Sequence, residues 1–253
     1  MRAMKIAIAG AIALAAATGF AAAKDWKTVR IGTEGAYPPF NLIDANGELQ
    51  GFDLDIAKAL CEKMKVECTF VAQDWDGIIP ALTAGKYDAI IASMSITDER
   101  KEVVDFTDKY YTNSLTFVAP KESGITDVSP AGLAGKALGA QSSTVSAQYL
   151  EENYGDAEIK LYPTQDDAYL DLASGRVDAV LADVGPSNLW LAAEGGQCCG
   201  FVGEAVVKDD LIGIAIRKED ADLKEMFNKA IAEIVADGSY AAINEKYFPF
   251  SIY

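Results

Sequence analysis

The chain of 253 residues has no histidine, only four cysteines, and too few basic side chains to balance its acids, 22 Lys and Arg against 38 Asp and Glu. Each shortage excludes something. Without histidine there is no imidazole for proton shuttling or for the commonest form of metal ligation. The cysteines include no second spaced pair for a thiolate zinc site. A net charge of −16 argues against nucleic acid as a partner, since phosphate binding draws on clustered Lys and Arg. The acidity modestly favours approach of a cationic ligand and also keeps an abundant protein dispersed. No metal, no cofactor and no nucleic acid are therefore expected, and a hydrophobic fraction of 50% is ample for a packed core.

Long apolar runs are missing beyond the first residues. There Arg2 and Lys5 precede an apolar stretch from Ile6 to about Ala17, and Ala21-Ala22-Ala23 has the small-x-small form of a signal-peptidase site. A membrane span needs about 20 apolar residues and this stretch is shorter. The expectation is a signal peptide over residues 1–23, cut after Ala23, and a soluble, exported product. Cleavage removes two positive charges and no acids, moving the net charge from −16 to −18. No cysteine follows the cut, so a lipid anchor is not expected.

In an exported chain cysteines pair. Cys61 lies near the end of a helical pattern (Leu54, Ile56, Ala57, Leu60, Met64), and Cys68 opens the apolar run Cys-Thr-Phe-Val-Ala. A bridge between them would staple a helix end to a strand start and contribute about 2 to 3 kcal/mol. The adjacent Cys198 and Cys199 leave three alternatives: a vicinal disulfide, free thiols, or an intermolecular bond.

What the chain does contain is a repeat. Leu82-Thr-Ala-Gly-Lys-Tyr-Asp-Ala-Ile-Ile-Ala92 returns as Leu172-Ala-Ser-Gly-Arg-Val-Asp-Ala-Val-Leu-Ala182. In each copy a helix stops at a glycine and a short apolar run reads as a buried parallel strand. Polar groups follow at once, Ser93 and Ser95 in one copy and Asp183 in the other. Ligands in open α/β sheets sit beyond the carboxyl ends of strands, so these residues belong on facing rims of two similar lobes.

The spacing predicts strands at Val29–Thr33, 68–72 and 88–92 with helices between them, a βαβαβ lobe. Asp53 is read as the N-cap of the first helix. Glu34-Gly-Ala-Tyr-Pro-Pro-Phe40 reads as irregular loop and Asn46-Gly47 as a turn. Tyr110 to Ala119 and Lys208 to Arg217 read as crossovers. Between them lie a strand leading into Gln-Ser-Ser-Thr144, a helix from Val145, a strand at Lys160-Leu-Tyr and the second repeat copy. Such a small-residue loop at a helix start offers backbone N–H groups to an anion. Helices over 223–236 and 240–247 close the chain. The fold class is α/β, two lobes joined by a two-crossover hinge: residues 24–113 with 209–253 form the first lobe and 114–208 the second.

The motifs Glu34-Gly-Ala-Tyr-Pro-Pro-Phe, Gly51-Phe-Asp-Leu-Asp, Asp74-Trp-Asp-Gly-Ile-Ile-Pro, Ser93-Met-Ser-Ile-Thr-Asp-Glu-Arg100 and Gly238-Ser-Tyr…Lys246-Tyr-Phe together resemble the extracytoplasmic solute-binding proteins of polar amino-acid ABC importers. The lysine/arginine/ornithine and histidine type is the nearest, over Val29 to Phe248. The resemblance implies a periplasmic-binding-protein-like fold, a monomer working with an inner-membrane ABC permease, and no catalysis. Arg100 corresponds to the clamp on the ligand's α-carboxylate, for which a planar guanidinium suits two parallel bonds. Ser95 and the backbone of Ser143 and Thr144 would share that carboxylate. Asp183 matches the acceptor for the α-ammonium, with Ser93 adding a carbonyl or hydroxyl, and Met94 between the two serines falls in the same ligand-binding set. Tyr37 and Trp75 correspond to the aromatic pair around the ligand's stem, and a cation over such rings gains on the order of 1 kcal/mol.

Glu34 stands where the family usually has Asp, placed to pair with a side-chain ammonium or guanidinium, which points to arginine, lysine or ornithine, with histidine also in range. Glu34 and Ala92 are the departures that bear on ligand choice, and a third lies after Val207. Ala92 replaces a Ser of the lysine/arginine binders, and the segment after Val207 lacks their Gly-rich stretch. Opine binders share Glu34, so an arginine-derived opine is the alternative ligand. Asp183 argues against it, because a carboxylate there repels an opine's extra carboxylate. A lyase resembling the periplasmic cyclohexadienyl dehydratases is the rival from another class. It would benefit from a second cation for a second carboxylate, and the motifs supply one arginine.

Overall fold

A computed structural model describes residues 24–253. The expected signal peptide lies outside the described residues. The chain opens with β1 (Thr28–Thr33), a short antiparallel meander of β2 (Ala36–Tyr37), β3 (Asn41–Ile43) and β4 (Leu49–Gln50), then α1 (Phe52–Met64) and β5 (Glu67–Ala72). After a 3-10 turn at Trp75–Gly77 come α2 (Ile78–Thr83), β6 (Ala89–Ile90), α3 (Asp98–Val103) and the long β7 (Asp105–Pro120). The second stretch contains β8 (Ala137–Gln141), α4 (Val145–Asn153), β9 (Glu158–Tyr162), α5 (Gln165–Ala173), β10 (Ala179–Asp183) and α6 (Val184–Ala192). A long β11 (Cys199–Ile216), α7 (Ala221–Ala236) and α8 (Ser239–Tyr247) complete it.

Eight strands form one ladder in the order β5-β1-β6-β11-β7-β10-β8-β9. The repeat is visible in the pairing. β6 lies parallel to β1 on one side and antiparallel to β11 on the other, and β10 lies parallel to β8 and antiparallel to β7. The two apolar runs are buried for the same reason in both copies, since each is a central strand covered by helices. The ladder runs unbroken through the middle because β7 has 16 residues and β11 has 18, well beyond the crossovers the sequence suggests. Their antiparallel register slips four times between Val202 and Ala215. Such bulges bend and twist the long ribbon between the β1 half of the sheet and the β8 half.

Helix α1 shows how sequence becomes packing. Phe52, Ile56, Leu60 recur at i, i+4, i+8 and are fully buried together with Phe227, Ile231 and Ile234 of α7. Each such side chain stabilises the fold by about 1.5 to 3 kcal/mol. The helix stops at Lys65, whose φ of 58° places it in the left-handed region. The bridge between Cys61 and Cys68 is present, tying the end of α1 to β5. The N-cap expectation for Asp53 is overturned. Gly51 occupies the cap with φ 125°, where any Cβ would collide with the Phe40 carbonyl, and Asp53 is the second residue inside the helix with no exposure. The loop after Glu34 is also more regular than its prolines suggest, since Ala36 and Tyr37 pair with Leu42 and Asn41.

Candidate functional site

A cavity with an empty volume of about 410 Å³ lies where the carboxyl ends of four strands meet. Glu34 follows β1, Ser93 and Ser95 follow β6, Gln141 ends β8 and Asp183 ends β10, and all five line it. Walls from the β1 half and the β8 half are already in contact. The Gln141 amide donates to Glu34 at 2.7 Å, the hydroxyls of Ser142 and Ser143 donate to Asp76 at 2.9 and 2.7 Å, and Trp75 Nε1 donates to the Ser143 carbonyl at 3.2 Å.

Arg100 dominates one end. It lies in the first turn of α3, where its backbone N–H is taken by the Thr97 cap at 3.1 Å. Its Nη1 donates to the Ser95 carbonyl at 2.9 Å and its Nη2 to the Ser143 carbonyl at 3.0 Å, with the guanidinium 5.4 Å from the Trp75 ring. Ser143 can turn its carbonyl to both donors because its backbone is left-handed, φ 57°. Burial pulls the guanidinium below its ordinary pKa, opposed by Asp210, Glu99 and Asp183, far too weakly to deprotonate an arginine. A guanidinium carries five donors and these two bonds occupy two, so donors remain for an incoming carboxylate. Beside it α4 begins, capped by Thr144, whose hydroxyl accepts from Ala147 N at 3.1 Å. That helix end adds positive potential.

Two carboxyls in the cavity are held in a costly state. Burial lifts Asp183 to about 6; hydrogen bonding from Tyr37 and Asn113 opposes the rise and the nearby Asp210 charge adds to it. Asp183 occupies the N-cap position of α6 yet makes no capping bond, so its side chain is not committed to the helix end. Burial likewise lifts Glu34 to about 7, with the Gln141 bond opposing and the charges of Asp166, Asp74 and Asp76 adding. A desolvated carboxylate gains most from a cation that moves in beside it. One guanidinium and two such acids thus face one small space.

Residues 29–250 match the family model described as "Bacterial extracellular solute-binding proteins, family 3". The chain belongs to that family. This solute-binding protein is 44% identical to the L-arginine-binding protein of Pseudomonas aeruginosa over 98% of each chain. It is 41% identical to the lysine/arginine/ornithine-binding periplasmic protein of Escherichia coli, over 94% of this chain and 93% of the other. A solved structure of an ancestral arginine-binding protein bound to arginine superposes with a TM-score of 0.82 at 39% identity, covering 88% of this chain and 98% of that one. The α/β fold expected from the motifs is thus the fold of the family.

Of the site residues read from the sequence, Glu34, Tyr37, Trp75, Ser93, Ser95, Arg100, Thr144 and Asp183 line the cavity of this solute-binding protein, and Ser143 borders it through its contacts with Arg100 and Trp75. Met94 does not line it. Its side chain is fully buried in a core cluster with Ile78, Leu82 and Phe106, because alternation past β6 turns every second residue away from the cavity. The hydroxyls of Ser93 and Ser95 are already committed, the first to Asp53 at 3.0 Å and the second to Asp210 at 2.8 Å. Asp53 also accepts from Asn41 at 2.9 Å and Tyr110 at 2.8 Å, and Asn41 in turn accepts from Gly35 N. The Gly-Phe-Asp motif therefore braces two walls of the cavity from behind. Sequence reasoning missed Gln141, Gln165, Asp76 and Asp210. Gln141 carried a usable signal, as the polar end of a strand equivalent to β1. The other three are recognisable only once the strands are placed. Cys198 and Cys199 are paired as a vicinal disulfide, the first of the three alternatives.

Proposed function

We propose that this protein captures a cationic L-amino acid, arginine, lysine or ornithine, in the periplasm and delivers it to an inner-membrane ABC permease. Residues 1–23 act as the export signal and the cleaved monomer does the work. The observation that carries the reading is the pair of buried acids, Asp183 and Glu34, in the same cavity as Arg100. In the proposed complex Arg100 takes the α-carboxylate, Asp183 the α-ammonium and Glu34 the side-chain cation, while Tyr37 and Trp75 flank the aliphatic stem. The relatives named for arginine and for lysine, arginine and ornithine support the ligand class.

The proposed motion is rotation of two lobes, 24–113 with 209–253 against 114–208, about the bulged middle of β7 and β11. Closure forms the bonds from Gln141, Ser142, Ser143 and Arg100 across the cleft, and the closed form is what docks on the permease. Capture proceeds without chemistry. Each charged group in the cavity has a ligand charge to hold, and none is left to act as acid or base on a leaving group. A thermal-shift screen of protein stripped of ligand by unfolding and refolding tests this. A ligand at one hundred times its dissociation constant adds about 2.7 kcal/mol, a shift of several degrees. Shifts with arginine, lysine or ornithine support the reading. Shifts with opines alone would remove Asp183 from the ammonium role, and no shift with any amino acid would overturn capture itself.

A further inference from the structure

Asp210 holds no ligand charge in the proposed complex, yet it is tied to the clamp. It lies on β11 opposite Asn113 of β7, between two of the register slips in the long ribbon, and it stands behind the cavity wall rather than on it. Its Oδ2 accepts from the Ser95 hydroxyl at 2.8 Å and from Asn113 Nδ2 at 3.3 Å. Burial raises its carboxyl above the ordinary range, opposed by those two bonds and by the Arg100 charge.

Ser95 is the link between this acid and the cavity. Its backbone is fixed, because it bridges to Ile212 of β11, with Ile96 N donating to the Leu211 carbonyl at 2.8 Å and Gly213 N to the Met94 carbonyl at 3.1 Å. Its own carbonyl accepts from Arg100 Nη1 at 2.9 Å, and the residue lines the cavity. Only the hydroxyl is left to turn. It carries one proton and can donate to one acceptor. A carboxylate is the strongest acceptor it can meet, and there are two candidates: Asp210, and the α-carboxylate of a ligand held on Arg100. The one built into the fold has it first.

We propose that Asp210 is a positioning residue that acts through Ser95: its carboxylate keeps the hydroxyl turned away from the cavity and so holds down affinity for the carboxylate end of an amino acid. The proposal rests on the reading of Arg100 as the α-carboxylate clamp and deepens it. A hydrogen bond that merely braced the wall would strengthen binding by its presence. This one withholds a donor from the ligand, so its removal has the opposite sign.

Calorimetric titration with L-arginine at pH 8 tests it, using the wild type, Asp210→Asn, Asp210→Ala, Ser95→Ala and the two double variants. An amide oxygen competes less well than a carboxylate for the hydroxyl, and an alanine does not compete at all. Each replacement of Asp210 alone should therefore tighten arginine about tenfold, the worth of one charge-assisted hydrogen bond. With Ser95→Ala there is no hydroxyl to release, and the same replacements should give no gain, or a loss, because they remove a negative charge near a site that takes a cation. Two variants at position 210 are used so that failure of one to fold, read by its melting temperature, leaves the other to decide. Arginine affinity that falls or stays unchanged on replacing Asp210 alone would overturn the proposal. So would a gain of equal size with and without the Ser95 hydroxyl, which would be an effect of charge only. Both leave capture of amino acids standing, whereas wild type that binds no amino acid in the thermal screen would overturn the underlying reading instead.

Discussion

Acid should weaken capture of a cationic amino acid far more than capture of a neutral one, and Glu34 is the reason. With the cleft closed as in this structure, burial holds Glu34 at about 7 and Asp183 at about 6. A ligand cation beside each keeps both ionised, so below those values each carboxyl must release a proton before the ligand is held. At pH 5 the Glu34 proton costs about a hundredfold in arginine affinity and the Asp183 proton about another tenfold, relative to the fully ionised site. Glu34→Gln keeps the shape and still accepts from Gln141, but it removes the larger of the two penalties together with the attraction. Calorimetry at pH 6, repeated in buffers of different ionisation enthalpy, counts the protons directly. Arginine should expel about 0.9 from Glu34 and about 0.5 from Asp183 in the wild type, and only the latter in Glu34→Gln. Equal proton release by the two proteins would refute the role given to Glu34, and arginine affinity that stays constant from pH 5 to 8 would refute the roles given to both acids.

The same raised carboxyl governs stability without ligand. Because the folded value of Glu34 lies above its ordinary 4.5, its contribution is fully present at low pH and is lost as pH rises through 7. Glu34→Gln should therefore stabilise the closed form without ligand at pH 8 by up to about 3 kcal/mol and leave it unchanged at pH 4, as read by thermal melts. Arg100→Ala should cost at least about a hundredfold in affinity for every amino acid, cationic or neutral, since it removes the charge-assisted bonds to the shared α-carboxylate. A loss confined to cationic ligands would count against the clamp. At the edge of the cleft, a Cβ at Gly185 of α6 would lie 2.8 Å from the Phe40 ring of the β1 half. Gly185→Ala should therefore weaken all ligands by a common factor of about ten while sparing the unliganded melting temperature, the signature of hindered closure.

Much of the site is legible in the amino-acid sequence because family motifs and strand-end positions coincide. Glu34, Ser93, Ser95 and Asp183 all follow short apolar runs, and in an α/β sheet that places them on one rim. The errors have local causes. Asp53 has the composition of a cap and the right position to within two residues, but the close approach of the Phe40 carbonyl reserves the cap for a glycine. Met94 shares a motif with its serine neighbours, although alternation beyond β6 directs it into the core. Strands β7 and β11 are longer than their apolar pattern suggests because their middles are polar, with Asn113, Asp209 and Asp210 interrupting that pattern where the ribbon crosses behind the cavity.

The sequence by itself determined the duplicated strand-and-helix unit, the α/β class, the pairing of Cys61 with Cys68, and most of the residue types that line the cavity. Those follow from short-range pattern, from periodicity and from motifs a few residues long. Only the tertiary structure decided what each polar group is free to do. Glu34 meets Gln141 across 107 residues and Ser95 meets Asp210 across 115, and no local pattern encodes such contacts. Burial, set by the whole packed assembly, raises Glu34 and Asp183 and leaves Gln165 Nε2 without a partner among the described residues. Charge and hydrogen-bond cost in a desolvated cavity depend on everything within several ångströms, whichever part of the chain supplies it.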